Sequence, residues 1–260
     1  MLFDALAEFN LVAKIVDALT IPMWIFDPID SSRPHLIDDV TRWHARLMSL
    51  GWSFFFPVAI IAARFFKVTP QQRFPEQIDN QWWWDMHRIC VALGTVAVAA
   101  AFCFIYFASN GGVVASSPHQ YAGWTALALM FVQIFGGLLR GTRGGPKMPR
   151  YTGAFRGDHF DMTTRRIVFE RIHKSIGYIA LATAWFATVA GLWSVNAPIW
   201  IWLLVIVWWA VLCAFAIRLQ RQGRAIDTYQ AIWGTHPTLI GNQRASVGKG
   251  VRRVKHRDQQ

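Results

Sequence analysis

Residues 86–108 read MHRICVALGTVAVAAAFCFIYFA, and from Ile89 to Ala108 no residue carries a charge. An α-helix needs about 20 predominantly apolar residues to cross a hydrocarbon core of ~30 Å, so this stretch predicts a membrane span. Four more stretches meet the same test, near 44–66, 118–140, 168–193 and 198–219. The whole chain agrees with them. Of its 260 residues 54% are hydrophobic and only 16% charged, and it holds 14 Trp and 19 Phe. That composition belongs to an integral membrane protein rather than a soluble globule. The expected fold is all-α, with five transmembrane helices. Pro118 after Ser116-Ser117 and Pro198 after Asn196 read as first-turn prolines with caps before them, and Pro57 should kink the first span.

The first 26 residues, MLFDALAEFNLVAKIVDALTIPMWIF, have apolar residues at helical spacing, but Asp4, Glu8, Lys14 and Asp17 interrupt them. They lack the basic start and unbroken apolar core of a secretory signal. An amphipathic helix lying in the membrane interface is the expectation. The chain thus divides into an N-terminal segment over 1–40, a transmembrane domain over 41–220 and a basic C-terminal segment over 221–260.

Charge sets the expected orientation. Of 26 Lys and Arg, 22 fall within 64–88, 140–174 and 218–260, which five spans place on one side of the membrane. Loops on the cytoplasmic side carry the Lys/Arg excess, so the N-terminus should lie outside and the C-terminus in the cytoplasm. This bias accounts for the net charge of +11 without a nucleic-acid partner. Contact between the basic tail and anionic lipid headgroups is the expected use of that charge. No organelle-targeting segment is visible, which leaves a plasma or inner membrane.

Four histidines stand near the starts of four successive spans: His44, His87, His119 and His173. The alternating direction of the spans puts His44 and His119 at one depth near the outer face, and His87 and His173 at one depth near the inner face. Any one of them reads equally as a helix–helix hydrogen bond, but ionisable groups in membranes are costly and usually functional. The other four (His35, His159, His236 and His256) fall in loops or the tail, where a solvated ring is expected. Zinc takes three or four protein ligands, and each depth offers two imidazoles with no evident carboxylate or thiol. Two imidazoles across a bundle suit a haem iron, whose other four ligands come from the porphyrin. The histidine faces are lined with small residues. Gly123 and Ala126 follow His119, and Gly177, Ala180, Ala184 and Thr188 follow His173. Gly137 and Gly191 each lie 18 residues beyond a histidine, five whole helical turns, at the depth of the other pair. Close helix packing explains the glycines about as well as room for a macrocycle does.

The segments HARLMSLGWSFFFPVAIIAARFFK (44–67), WWWDMHRICVALG (82–94), PHQYAGWTALALMFVQIFGGLLR (118–140), ERIHKSIGYIA (170–180) and DTYQAIWGTHP (227–237) resemble the eukaryotic-type cytochrome b561 superfamily. The likeness is to its branch of ferric-chelate reductases and domains fused to extracellular haem- or catecholamine-binding modules, and it spans roughly residues 40–240. It implies a four-helix core with two non-covalent b haems, one held by His44 and His119 near the outer face and one by His87 and His173 near the inner face. With about 40 residues before the core, no extracellular sensor domain is expected ahead of it.

Haem propionates call for cationic partners. Arg64 and Arg140 are the candidates at the inner haem and Arg46 at the outer one, with interfacial snorkelling as the equal alternative for each. The loop RGTRGGPKMPR, with Arg143, Lys147 and Arg150, reads as a site for an anionic reductant such as ascorbate, or more simply as positive-inside bias. Cys90, Cys103 and Cys213 fall within spans, and no C-x-x-C-H for covalent haem attachment is present. No nucleotide loop, flavin pattern or nucleophile triad appears, so no side chain is assigned a catalytic role. The leading expectation is an electron-transferring oxidoreductase of cytochrome b561 type. It would pass single electrons between an ascorbate- or quinol-like reductant and ferric iron or a redox protein on the other side. Two alternatives stand beside it, a haem-bearing subunit of a larger respiratory or dehydrogenase complex linked to quinone, and a non-redox protein whose histidines bind metal or move protons.

Overall fold

A computed structural model of the chain describes residues 22–35, 37–109, 116–147 and 156–256. The described residues are helical, with no strand beyond two isolated bridges. Five helices are long and apolar enough to cross a membrane. They are α1 (Asp39–Phe65), α2 (Trp82–Ala108), α3 (Pro118–Leu139), α4 (Thr164–Ser194) and α5 (Ile199–Arg221). The chain is an all-α integral membrane protein. The interfacial helix expected in residues 1–26 lies almost wholly outside the described residues. Its end, Met23–Phe26, is a short 3-10 turn with Met23, Trp24 and Phe26 exposed.

The caps explain where the helices start. Asp38 accepts from the Thr41 amide, Ser117 from Gln120 and Thr163 from Arg166, each an N-cap side chain satisfying a donor of the first turn. Asp38 and Thr163 start α1 and α4 several residues ahead of the apolar runs, so His44 and His173 sit inside their helices rather than at the ends. Pro198 is itself the residue before α5, and Asn196 does not cap that helix. Its buried side chain instead donates to the carbonyls of Asp30 and Arg33 and accepts from the Asp30 amide.

α1 and α2 pack as one antiparallel pair, α3 and α4 as another. Between the pairs lies a core of Trp52, Val98, Ala126, Met130, Ala180 and Ala184. α1 and α2 touch at glycines: a Cβ on Gly51 would lie 2.5 Å from Val98 Cγ2, and one on Gly94 2.7 Å from the Phe56 ring. Pro57 acts on α1 through a widened turn. Residues Leu50–Phe55 form a π-helical turn, in which the Phe56 amide donates to Gly51 O, five residues back. Since Pro57 has no N–H, the carbonyls of Trp52 and Ser53 lose their usual helical donors.

The two ends of the bundle differ. At one, the clasp end, residues 27–35 are tied to the α4–α5 turn by Asn196, by an antiparallel bridge between Pro28 and Pro198, and by His35 Nδ1 against the carbonyls of Val195 and Asn196. The opposite, cap end carries the basic loops and the C-terminal segment, which folds back over the bundle. A short helix there, α6 (Thr228–Trp233), is almost wholly buried, and Tyr229, Ile232 and Trp233 pack with Trp83 and Met162. Asp227 accepts from Arg253, and Ile226 bridges Arg252 in parallel.

Candidate cofactor site

The four spans bring the histidines together in two pairs. His44 and His119 face each other near the clasp end with ring centres 6.1 Å apart, and His87 and His173 near the cap end at 6.3 Å. In both pairs the rings are close to perpendicular, at 83° and 75°. From His87 to Ala101, the depth of the other pair, is 14 residues of α2, or about 21 Å at 1.5 Å per residue. The two pairs thus stand near opposite ends of the bundle with the core around Trp52 between them.

Backbone carbonyls of neighbouring helices fix three of the four rings. His44 Nδ1 lies 3.0 Å from Ala101 O, His87 Nδ1 3.1 Å from Ala59 O, and His119 Nδ1 2.8 Å from Ala187 O. A carbonyl only accepts, so each Nδ1 carries the proton and leaves the lone pair on Nε2. This is the tautomer a metal-binding imidazole adopts when a second group orients it. His173 is held differently: its ring lies against Phe169 at 5.0 Å, and its Nδ1 is buried with no hydrogen-bond partner. Gln133 donates to the His173 carbonyl. The acceptors Ala59, Ala101 and Ala187 leave no signal in a sequence beyond being small.

Gly191 is where α4 admits the His119 ring, since a Cβ there would lie 2.9 Å from Nδ1. Beside Gly123 and Gly137 a Cβ would meet nothing within 4 Å, so both face open space. A cleft of ≈ 330 Å³ reaches His119 between Pro118, Phe186, Val189, Trp193 and Trp202, giving approach to that ring along apolar walls. Among the described residues no three His, Cys, Asp or Glu side chains converge as a metal site. What each pair can do is bind, from two sides, a metal that brings its remaining ligands with it.

The arginines are distributed unevenly. Arg140 lies over Trp84 at 4.3 Å and donates to Gly137 O, while its Nε is buried without a partner. Burial first, and then the guanidinium groups of Arg166, Arg143 and Arg88, pull its pKa down to about 10. Arg143 and Arg88 also approach Trp84, each at 5.5 Å. Arg64 is turned elsewhere, donating to Gln220 Oε1 and Lys249 O. Arg46 is exposed at the clasp end over Trp43. Within the glycine-rich loop, Arg143 is not a solvated cation: it is buried and paired with the equally buried Asp79 at 2.8 Å. Lys147 gives its backbone amide to the same carboxylate, and Arg150 lies outside the described residues.

His159, expected in solvent, is 1% exposed. Its Nδ1 accepts from Trp233 Nε1 and its Nε2 lies 3.5 Å from Glu170, which also pairs with Arg166 and Lys174. Burial, then the Arg166 charge, holds its pKa down to about 3, so the ring is neutral. The group ties α6 to α4 one turn from His173. Cys90 is buried, Cys103 and Cys213 are exposed, and all three are free thiols.

The comparison with known families bears directly on these histidines. A family model, that of eukaryotic cytochrome b561, matches residues 43–150. Over those residues the chain is similar to the eukaryotic cytochrome b561 family. Cytochromes of this family carry electrons across membranes on haem. The b561 match spans α1 to α3, and so includes His44, His87 and His119, while His173 on α4 lies beyond it. No curated protein and no solved structure matches the chain.

Proposed function

We propose that this protein passes single electrons across its membrane through two b haems, one bound by His44 and His119 and the other by His87 and His173. The observation that carries this reading is the spacing of the two pairs. A metal–nitrogen bond is about 2 Å long, and an imidazole nitrogen stands about 1 Å from its ring centre. Two imidazoles on opposite sides of one metal therefore have centres about 6 Å apart, and the pairs stand at 6.1 and 6.3 Å. The open space beside Gly123 and Gly137 supports the same reading, as does the proton on Nδ1 of three of the rings.

A bound haem would supply a one-electron iron couple, whose potential would follow the residues that hold it, their hydrogen bonds and its burial. The chain's own groups act on those terms. Ala59, Ala101 and Ala187 hold three imidazoles in the metal-binding tautomer. The core of Trp52 and its neighbours keeps water out of the layer between the pairs. Arg140, with its buried and unpartnered Nε, is the cation assigned to a haem carboxylate at the cap end; Arg64 already has acceptors, and Arg46 is left for the clasp end. The positive-inside bias puts the cap end in the cytoplasm and the clasp end outside. The electron donor is ascorbate- or quinol-like, and the acceptor on the other side is ferric iron or a redox protein.

The test is a reduced-minus-oxidised visible spectrum of the purified protein, with a pyridine haemochrome assay for haem per chain. Two haems with low-spin b-type bands are expected, falling to one in His44→Ala and in His173→Ala. A haem-free protein after expression with ample haem would overturn the proposal.

A further inference from the structure

The contact between α1 and α2 has matching and mismatched halves. Along α2 the residues that meet α1 are His87, Gly94 and Ala101, seven apart and then seven again. Their opposites on α1 are Ala59, Gly51 and His44, which are eight apart and then seven. Helix α1 therefore carries one residue more than α2 between the glycine crossing and the cap-end pair. In an unbroken α-helix that residue would rotate everything after it by about 100°, taking the Ala59 carbonyl off His87. The π turn at Leu50–Phe55 absorbs the extra residue. Single π turns of this kind occur frequently at functional sites.

Such a turn exposes carbonyls, and two other helices supply the missing donors. Trp208 Nε1 of α5 donates to Ser53 O at 2.6 Å, and Trp209 Nε1 to Ser53 Oγ at 3.1 Å. Trp185 Nε1 of α4 donates to Trp52 O at 3.4 Å, and its ring is stacked on Trp209 at 4.4 Å and 6°. Donors from neighbouring helices are what make irregular backbone tolerable inside a membrane. The fifth helix carries none of the paired histidines, yet two of its indoles reach Ser53 at the irregular turn of α1, Trp208 its carbonyl and Trp209 its hydroxyl.

We propose that Trp208, with Trp209 and Trp185, is a positioning residue for the cap-end site: it holds the π turn of α1 and thereby keeps the Ala59 carbonyl on His87 Nδ1. The clasp-end site does not depend on it, because His44 precedes the turn and reaches Ala101 directly. The inference rests on the dihaem reading for its redox consequences, and on geometry alone for its hydrogen bond.

The experiment compares wild type, Trp208→Phe, and a compensated variant in full-length protein. Phe keeps the stacking on Phe54 and removes the N–H. The compensated variant adds deletion of Phe55 and Pro57→Ala to Trp208→Phe, giving α1 the seven-residue spacing of α2 with no irregular turn to hold. Two readouts are taken: the midpoint potentials of the two haems, and the histidine ¹⁵N shifts of the haem-free protein, which report the Nδ1 proton and its bond. Trp208→Phe is expected to move one potential and the His87 shift while leaving the other potential and His44 unchanged, and the compensated variant to return both. A loss of thermal stability in Trp208→Phe with potentials and His87 shift unmoved would overturn the proposal, as would failure of the compensated variant to restore them. If wild type binds no haem, the dihaem reading fails, and the ¹⁵N arm still decides this one.

Discussion

Gly191→Ala tests the proposed cofactor role of the His119 ring apart from its structural one. The new Cβ would lie 2.9 Å from His119 Nδ1 and 3.1 Å from Cε1, where carbon contacts settle near 3.5 Å or more. The ring must retreat from α4 by about 0.6 Å. Because its acceptor, Ala187 O, is on that same helix one turn earlier, the retreat stretches a 2.8 Å bond to about 3.4 Å, beyond the usual hydrogen-bond range. Loss of a group that orients a metal ligand costs 10–100-fold in metal affinity, or about 1.4–2.7 kcal/mol. Helix propensity works in the other direction, since Ala is favoured over Gly inside a helix by about 1 kcal/mol. The expected result is a protein that unfolds no more easily than wild type and binds haem 10–100-fold more weakly at the His44/His119 site alone. Haem titration into the haem-free protein, followed by the low-spin absorption bands, measures it. Gly177→Ala is the control, because a Cβ there makes only an ordinary contact of 3.7 Å with Gln133. Wild-type affinity at both sites in Gly191→Ala would refute the reasoning, and so would a loss confined to the His87/His173 site.

Two further outcomes concern the cap end. Asp79→Asn leaves the Arg143 guanidinium buried without its counter-charge, and breaking a buried pair in this way costs about 3–5 kcal/mol; thermal unfolding in detergent should show a large drop in Tm, whereas Glu76→Gln, at an exposed carboxylate nearby, should show none. His159 titrates at about 3 in the folded protein against 6.5 for a free ring, so between those values the unfolded chain binds the extra proton and acid favours unfolding. The contribution of the neutral ring is full above pH 6.5 and should fade by about 1.4 kcal/mol per pH unit on the way down; an unfolding series from pH 7 to 4 should therefore be steeper for wild type than for His159→Phe, and equal slopes would count against the assignment.

How much of this could be seen in the sequence depended on whether the feature was local. Spans are local, and their apolar runs marked all five helices to within a few residues. Ser117-Pro118 marked the start of α3 for the same reason, as a cap with a proline behind it. The four histidines were visible because each breaks an apolar run, and alternating span direction sorts them into pairs. Groups contributed by another helix left no trace. Nothing in Ala59, Ala101 or Ala187 announces a carbonyl acceptor, and Pro57 signals an irregular helix without showing that a residue must be absorbed there. That becomes visible only when the seven-residue spacing on α2 is laid beside it. His159 was misjudged because loop polarity suggests solvent, while its burial comes from a C-terminal segment distant in sequence, through Tyr229 and Trp233. Asn196 resembled a cap by position, but a positive φ of 50° turns its amide towards residues 30 and 33 instead.

The folded-back C-terminal segment also bears on the order of synthesis. Lys174, next to His173, donates to the Val247 carbonyl, and buried Lys67 to that of Ile226. A nascent chain has the residues of the clasp-end pair and their acceptors once α4 has left the ribosome, but the other pair keeps an unsealed, wet end until some fifty further residues are made. If the two pairs bind haem as proposed, loading would then run in sequence, the clasp-end site first and the cap-end site only once that segment has been made.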